Sequence, residues 1–204
     1  VILAIEGIDG AGKNTLVRRI GQELGVTVEL LAFPRYEESV HAQLAQEALY
    51  GRMGDLTDSI YGMATLFALD RHGAVERLRA AKDSRELLIL DRYVASNAAY
   101  SAARLGDDSI MDWVYELEFG RLGLPRPDLQ VFLDTDVSLA ASRAQSRADA
   151  DATRERDEYE KNASLQADTA AAYRRLAEKN WAGRWLATGD ADMIVEAVKE
   201  LVGK

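Results

Sequence analysis

The stretch Gly7-Ile8-Asp9-Gly10-Ala11-Gly12-Lys13-Asn14-Thr15 limits what this chain can fold into more than any other. An apolar run, Val1-Ile2-Leu3-Ala4-Ile5, leads into it, and Leu16, Val17, Ile20 and Leu24 follow on one helical face. The order is strand, glycine-rich turn, helix, and in that context G-x-x-x-x-G-K reads as a phosphate-binding loop. Glycines let backbone N–H groups converge on phosphate oxygens with no side chain in the way. The start of the following helix adds partial positive charge, and Lys13 adds a mobile full charge. The pattern ordinarily ends in Ser or Thr, whose hydroxyl binds Mg²⁺; here that position is Asn14, followed by Thr15. The alternative is a plain glycine-rich turn with a surface lysine, and the flanking strand and helix count against it. The loop specifies a phosphate, with ATP the expected donor, and leaves the acceptor open.

Composition narrows the setting. The 204 residues suffice for one domain with a substantial core. There is no cysteine, which excludes a disulfide framework and thiolate metal sites and fits a reducing, cytoplasmic compartment. No apolar run is long enough to span a bilayer, so no membrane association is expected. The apolar N-terminal run lacks a basic start and leads straight into the loop, unlike a signal peptide. A formal charge of −9 argues against a general nucleic-acid surface. An anionic ligand therefore needs a local cluster of arginines.

Taken in order, Val26 to Phe33 reads as a second strand, stopped at Phe33-Pro34-Arg35-Tyr36. Arg35 and Tyr36 then fall on a loop beyond its C-terminal edge, where open parallel sheets bind ligands. Two helical stretches follow, about Val40–Tyr50 and Thr57–Ala81. The second carries Ile60, Met63, Ala64, Phe67, Ala74, Val75 and Leu78 on one stripe, with Arg71 among them. A charge on an apolar stripe needs a partner. Either it bonds a nearby acid such as Asp70, or Phe67 stacks on a flat ring and Arg71 donates to that ring.

Leu87 to Leu90 is a continuous apolar run, as in a strand buried on both faces, and it ends in Asp91-Arg92-Tyr93. An acid at this place commonly holds Mg²⁺, and an arginine beside it can clamp a phosphate. Ser96 reads as a helix N-cap, with Asn97, Tyr100 and Arg104 sharing one face of the helix it opens. Three polar or amphipathic groups on a stripe suggest a lined cavity. A further helix over Asp107–Leu122, with Ile110, Trp113, Val114, Leu117 and Phe119, reads as structural or as a subunit contact. Leu129–Leu133 is a fourth strand.

From Leu139 the pattern is helical and then loses its apolar residues. Residues 144–156, with Arg147 and Arg154, read as an arginine-bearing flap, and Arg143 shares a helical face with Arg147. Asp157-Glu158-Tyr159-Glu160 is expected to open a long helix to about Lys179, followed by a strand at Trp185–Ala187 and a helix at Ala191–Val202.

Together, Gly7–Thr15, Phe33-Pro34-Arg35-Tyr36, Thr65 to Arg71, Asp91-Arg92-Tyr93, Ser96 to Tyr100 and the arginines of 143–156 closely resemble thymidylate kinase, nearest to actinobacterial, mycobacterial-type members. The likeness runs through essentially the whole chain, and the order and spacing of the motifs carry it. It implies a P-loop NTPase fold of the α/β class: a five-stranded parallel sheet flanked by helices, in a single domain over residues 1–204 with a lid at about 144–156. It implies transfer of the γ-phosphoryl group of ATP to dTMP, with Mg²⁺, by a homodimer. By position, Phe33 and Pro34 line the acceptor site, Phe67 stacks on thymine, and Arg71 and Asn97 read the base edge. Tyr100 crowds the place of a ribose 2′-hydroxyl, with Ser96 nearby, and Arg35, Tyr36 and Arg92 hold the acceptor phosphate. Tyr159 and Glu160 close over the nucleotide, and Asp157 belongs to the substrate-binding set. Lys13, Arg147 and Arg154 stabilise the transferring group, Arg143 lies on the ATP side, and Asp9 sits near sugar and metal. Ala11 occupies a place where some members carry a basic residue, which shifts that role to the lid. Asn14 departs from the common Ser/Thr and shifts metal ligation to Asp9, Asp91, Glu160 and water.

Two other readings are weaker. A phosphate-loop kinase for another nucleoside monophosphate, or for a deoxynucleoside, shares most of these motifs. A GTP-dependent switch finds a D-x-x-G match in Asp70-Arg71-His72-Gly73, but that match lies in a helical pattern and no N-K-x-D motif exists in the chain.

Overall fold

Apolar runs without alternation need cover on both faces, and the sheet supplies it. A computed structural model of the chain describes residues 1–25, 28–150, 159 and 162–203, the side chains of residues 147–150 excepted. Its strands are β1 (Ile2–Glu6), β2 (Val28–Ala32), β3 (Leu87–Asp91), β4 (Leu129–Leu133) and β5 (Trp185–Thr188). They form one sheet in the order β2-β3-β1-β4-β5, every pairing parallel. The central strands β1 and β4 are buried throughout, whereas the edge strand β2 exposes Glu29, Leu30 and Ala32. Side chains alternate between two cores: Ile2 and Ala4 face one with Leu88 and Leu90, while Leu3 and Ile5 face the other with Leu87 and Ile89. Each such aliphatic side chain contributes about 1.5–3 kcal/mol by leaving water.

The helices are α1 (Lys13–Leu24), α2 (Val40–Leu49), α3 (Ile60–His72), α4 (Val75–Asp83), α5 (Val94–Leu105), α6 (Ser109–Tyr115), α7 (Val137–Ala150), α8 (Ala163–Glu178) and α9 (Ala191–Val202). Helix α1 covers one face through Leu16 and Ile20, beside Ile194, Val195 and Val198 of α9. Residues of α4, α5, α6 and α8 cover the other. Among the described residues, no helix is long and apolar enough to cross a membrane. The register sets Ile5 opposite both Asp91 and Val131, so the C-terminal ends of β1, β3 and β4 lie side by side.

Several expected boundaries change. The stretch expected as one helix over 57–81 is a 3-10 turn (Gly54–Asp58) and two helices, α3 and α4, broken at Gly73. A Cβ on Gly73 would lie 2.6 Å from Arg35 Nη2, so the break falls where the Arg35 side chain packs against the backbone. Ser96 is not an N-cap. Tyr93 holds that place, and Ser96 is buried in the first turn of α5. The helix expected over 107–122 turns π-helical at Glu116–Arg121. The long C-terminal helix starts at Ala163 rather than Asp157, because Asn162 is extended and its side chain caps the helix by accepting from Leu165 N–H. The flap expected from residue 144 begins inside α7, which continues to Ala150.

Candidate active site

The loop between β1 and α1 is shaped by contacts that exclude side chains. Gly10 has φ +83, and a Cβ there would lie 2.0 Å from Ala140 O. Gly12 caps α1 at φ 101, also left-handed, with no side chain capping the helix. The first turn of α1 thus presents its amides at the sheet edge, where an anion is favoured. Lys13 is buried, and its ammonium donates to Gly7 O and Ile8 O, both at 3.3 Å. Burial, then the nearby Arg92 charge, bring its pKa down to about 8 against the pull of Asp91, Asp9 and Glu6. Asn14 and Thr15 are exposed. Arg143 Nη1 comes within 3.7 Å of where a Gly12 Cβ would be, which sets its guanidinium beside the loop.

Next to the loop lies a cavity of about 440 Å³. Phe33, Pro34 and Tyr36 line it from beyond β2; Phe67 and Arg71 from α3; Ser96, Asn97, Tyr100 and Arg104 from α5; Asp9, Arg92 and Tyr159 complete it. Arg92 follows β3 with φ 68, a left-handed backbone that costs a non-glycine residue roughly 1–3 kcal/mol. Two hydrogen bonds hold that turn: Arg92 N–H to Ile5 O at 2.9 Å and Tyr93 N–H to Glu6 Oε1 at 2.8 Å. The guanidinium of Arg92 then donates to Asp9 Oδ1 at 2.7 Å, while Tyr100 O–H donates to Asp9 Oδ2 at 3.1 Å. Burial alone would raise the Asp9 pKa, but Arg92 and Lys13 outweigh it and bring it to about 2. Burial raises the Tyr100 hydroxyl, which stays a donor. Tyr159 stacks on Tyr100 at 6.0 Å and accepts from Arg104 Nη1 at 2.5 Å, closing one side.

Not every expected residue enters this space. Arg35 is turned away from the cavity onto Asp70: Nε donates to Oδ1 at 3.1 Å, Nη2 to Asp70 O at 2.5 Å, and the backbone N–H to Oδ2 at 3.0 Å. Arg71 does line the cavity, but its partner is Glu118, not Asp70. Arg154, Asp157, Glu160 and the side chain of Arg147 lie outside the described residues.

Three residues at the site carried no sequence argument. Gln166 donates to Asp9 Oδ2 at 3.3 Å and to Tyr159 O at 3.0 Å. Glu6 accepts from Ser96 Oγ at 2.6 Å and from Tyr173 O–H at 3.0 Å, and burial raises its pKa. Glu118 is fully buried. Each lies on a buried stripe, as with Gln166, Ala170 and Tyr173 of α8, so a polar residue at an apolar phase was the signal.

A divalent cation is testable against these atoms. Asp91 Oδ1 is buried with no hydrogen-bond partner among the described residues. An orphaned carboxylate oxygen at a strand end beside a phosphate loop suits a hard cation. Among the described residues no cluster of three or more His, Cys, Asp or Glu forms a closed metal cage. That fits Mg²⁺, which keeps several waters and shares its remaining positions between one or two carboxylates and substrate phosphates.

Comparison with known proteins agrees along the chain. The thymidylate kinase family profile matches residues 5–201. Thymidylate kinase of Mycobacterium tuberculosis, in strains H37Rv and CDC 1551, is 52% identical over 195 residues, covering 93% of this chain and 91% of that protein. The human thymidylate kinase is 30% identical over 145 residues, 70% of this chain and 64% of that one. The solved structure of thymidylate kinase from Candida albicans superimposes with a TM-score of 0.72 over 99% of this chain and 90% of that one, and at 22% identity it speaks to the fold alone. A glycine-rich loop at the end of β1, an arginine-lined cavity beside it and a family match across nearly every residue converge: the chain belongs to the thymidylate kinase family.

Proposed function

We propose that the cavity is the dTMP site of an ATP-dependent kinase and that the loop before α1 holds the donor. The activity is that of the family, ATP and dTMP giving ADP and dTDP. The observation that carries the assignment is the cavity itself: its lining joins a flat aromatic, Phe67, and two polar groups, Arg71 and Asn97, to Arg92 and Asp9, whose charges act on Lys13 of the loop. That set suits base, sugar and phosphate.

Phosphoryl transfer asks for positioning and charge neutralisation rather than covalent catalysis by the protein. Phe67 stacks on the pyrimidine. Tyr100, fixed against Asp9, crowds the sugar and favours the 2′-deoxy form. Arg92 and Tyr36 grip the acceptor phosphate, with Arg35 available when its contacts with Asp70 loosen. Lys13 leaves Gly7 O and Ile8 O for the donor phosphates, and their charge holds it protonated. Arg143, Arg147 and Arg154 bring further positive charge, and Asp157 and Tyr159 cover the nucleotide. Asp9, Asp91 and Glu160 would hold Mg²⁺, which neutralises charge on the transferring phosphates when bound. We further propose that residues 1–204 form a single domain with a lid at about 144–156, that the protein works in the cytoplasm, and that it acts as a homodimer. Sedimentation at micromolar concentration reads the last of these, and a monomer overturns it.

The test is ADP release from ATP and Mg²⁺ with dTMP, dUMP, UMP, dCMP, AMP and thymidine as acceptors. Turnover with dTMP and little with UMP is expected. Turnover with UMP or AMP but not dTMP would retain a phosphate-loop kinase and discard this use of the cavity.

A further inference from the structure

The two edge-reading groups are not free to turn. Glu118 sits on the π-helical turn after α6, four residues beyond Val114 and eight beyond Ile110, and is as fully buried as they are. Its carboxylate accepts from Arg71 Nε at 2.5 Å and from Arg71 Nη2 and Asn97 Nδ2, both at 2.7 Å. Asn97 Nδ2 also donates to Ala64 O at 2.9 Å. Two acceptors at hydrogen-bond distance from one end of the amide fix that end as nitrogen. Oδ1 is then the acceptor end; Ser101 Oγ donates to it at 3.5 Å, which leaves it a second lone pair. The Nε and Nη2 side of Arg71 is occupied by the same carboxylate, so the cavity receives its remaining Nη1 donors. One carboxylate thus sets both polarities: a donor from Arg71 and an acceptor from Asn97.

That pattern is complementary to a ring edge carrying a carbonyl next to an N–H, the imide edge of thymine or uracil. Cytosine offers an amino group next to a bare ring nitrogen, the opposite at both places. We propose that Glu118 is the positioning residue that fixes the polarity of the Arg71–Asn97 pair and thereby selects an imide base over an amino base. This rests on reading the cavity as the acceptor-nucleotide site. The sequence could not have offered it, since the carboxylate is 47 residues from Arg71 and 21 from Asn97.

Glu118→Gln keeps the size and replaces one acceptor oxygen with a donor. Both oxygens face Arg71, and Oε1 is shared with Asn97. With its nitrogen in the place of Oε1 the new amide presents N–H₂ to Asn97 and drives that side chain to turn over. With its nitrogen in the place of Oε2 it meets Arg71 Nε and loosens the guanidinium, so either orientation disturbs the pair. Steady-state kinetics with dTMP and dCMP at saturating ATP and Mg²⁺ should give a KM for dTMP raised about tenfold with kcat within a few-fold, and a dTMP-over-dCMP ratio of kcat/KM reduced roughly 100-fold. Folding of the variant is checked by its melting curve. A residue needed only for packing lowers both substrates alike, so an unchanged ratio overturns the inference. Glu118→Asp keeps the charge on Arg71 but withdraws from Asn97, and should show a smaller loss of the same ratio. If neither variant folds, the unsubstituted protein still decides: dTMP methylated at N3 should bind at least about 100-fold more weakly than dTMP, and equal binding overturns the assigned Asn97 polarity. Absence of dTMP turnover in the unsubstituted protein would sink the cavity assignment itself, whereas normal turnover with an unchanged ratio in the variant removes only the role of Glu118.

Discussion

The two halves of the site are prepared in different ways. On the acceptor side nearly every cation already has its carboxylate: Arg71 with Glu118, Arg35 with Asp70, Arg92 with Asp9. These pairs are largely buried, so removing one partner strands a charge. On the donor side Lys13, among the described residues, hydrogen-bonds to carbonyls of its own loop, Asn14 and Thr15 are exposed, and Arg147 and Arg154 lie in the proposed lid. On the proposed reading the acceptor half is ordered mainly by charges already paired, and the donor half depends on charges that arrive with the ligand. A kinase that builds its acceptor site in advance discriminates among acceptors before ATP commits. Its donor half can remain tolerant, because a triphosphate brings its own charge.

The largest expected effect breaks the donor half. Lys13→Ala should lower kcat by roughly 10³, with dTMP affinity changed by no more than about threefold, as read by ADP release and by titration calorimetry. A comparable loss of dTMP binding would show that the halves are not separate. Phe67→Ala tests the acceptor half in the opposite sense. KM for dTMP should rise about 10- to 100-fold, the loss of one base–aromatic stack, while kcat holds. A fall in kcat alone would contradict that.

Asp9→Asn measures how much of the acceptor-side order is electrostatic. The folded pKa of Asp9, about 2, lies below its ordinary 3.8. Its contribution to stability is therefore present above about pH 4 and is lost as pH falls towards 2, amounting to about 2 kcal/mol at neutral pH. Chemical denaturation should find the Asn variant less stable at pH 7 and the difference nearly gone at pH 2. A difference independent of pH would remove the charge argument. The smallest effect is expected at Asn14→Thr. A hydroxyl there should tighten the apparent Mg²⁺ requirement of turnover by about threefold, because the carboxylates already do most of the work. A loss of activity instead would make the Asn14 amide a ligand in its own right.

Legibility in the sequence followed the range of the contacts. The loop, the strand ends at Asp91 and Leu133, and the Asn97–Tyr100–Arg104 stripe were readable because neighbours a few positions apart define them. The break at Gly73 was not, since it answers to Arg35 on another segment. Ser96 was misread because a serine ahead of a helical run is ordinarily a cap. Here its hydroxyl is used by Glu6, 90 residues earlier. For Arg71 the sequence leaves two partners open, an acid such as Asp70 or a ring in a pocket; it does line the cavity, and its acid is Glu118, because Asp70 is adjacent in sequence and consecutive helical residues point apart.

The bare oxygen of Asp91 also bears on how the resting protein ages. A buried acceptor left without a donor costs about 1–3 kcal/mol, and Asp91 Oδ1, which has no partner among the described residues, carries that cost. Selection for durability alone would replace this aspartate with an apolar residue, and the replacement would outlast the original while doing nothing. Were Mg²⁺ to bind there as proposed, the ion would be a structural tenant as well as a reagent. Cells short of magnesium would then lose this protein twice, first as a working kinase and then, more slowly, as a folded one.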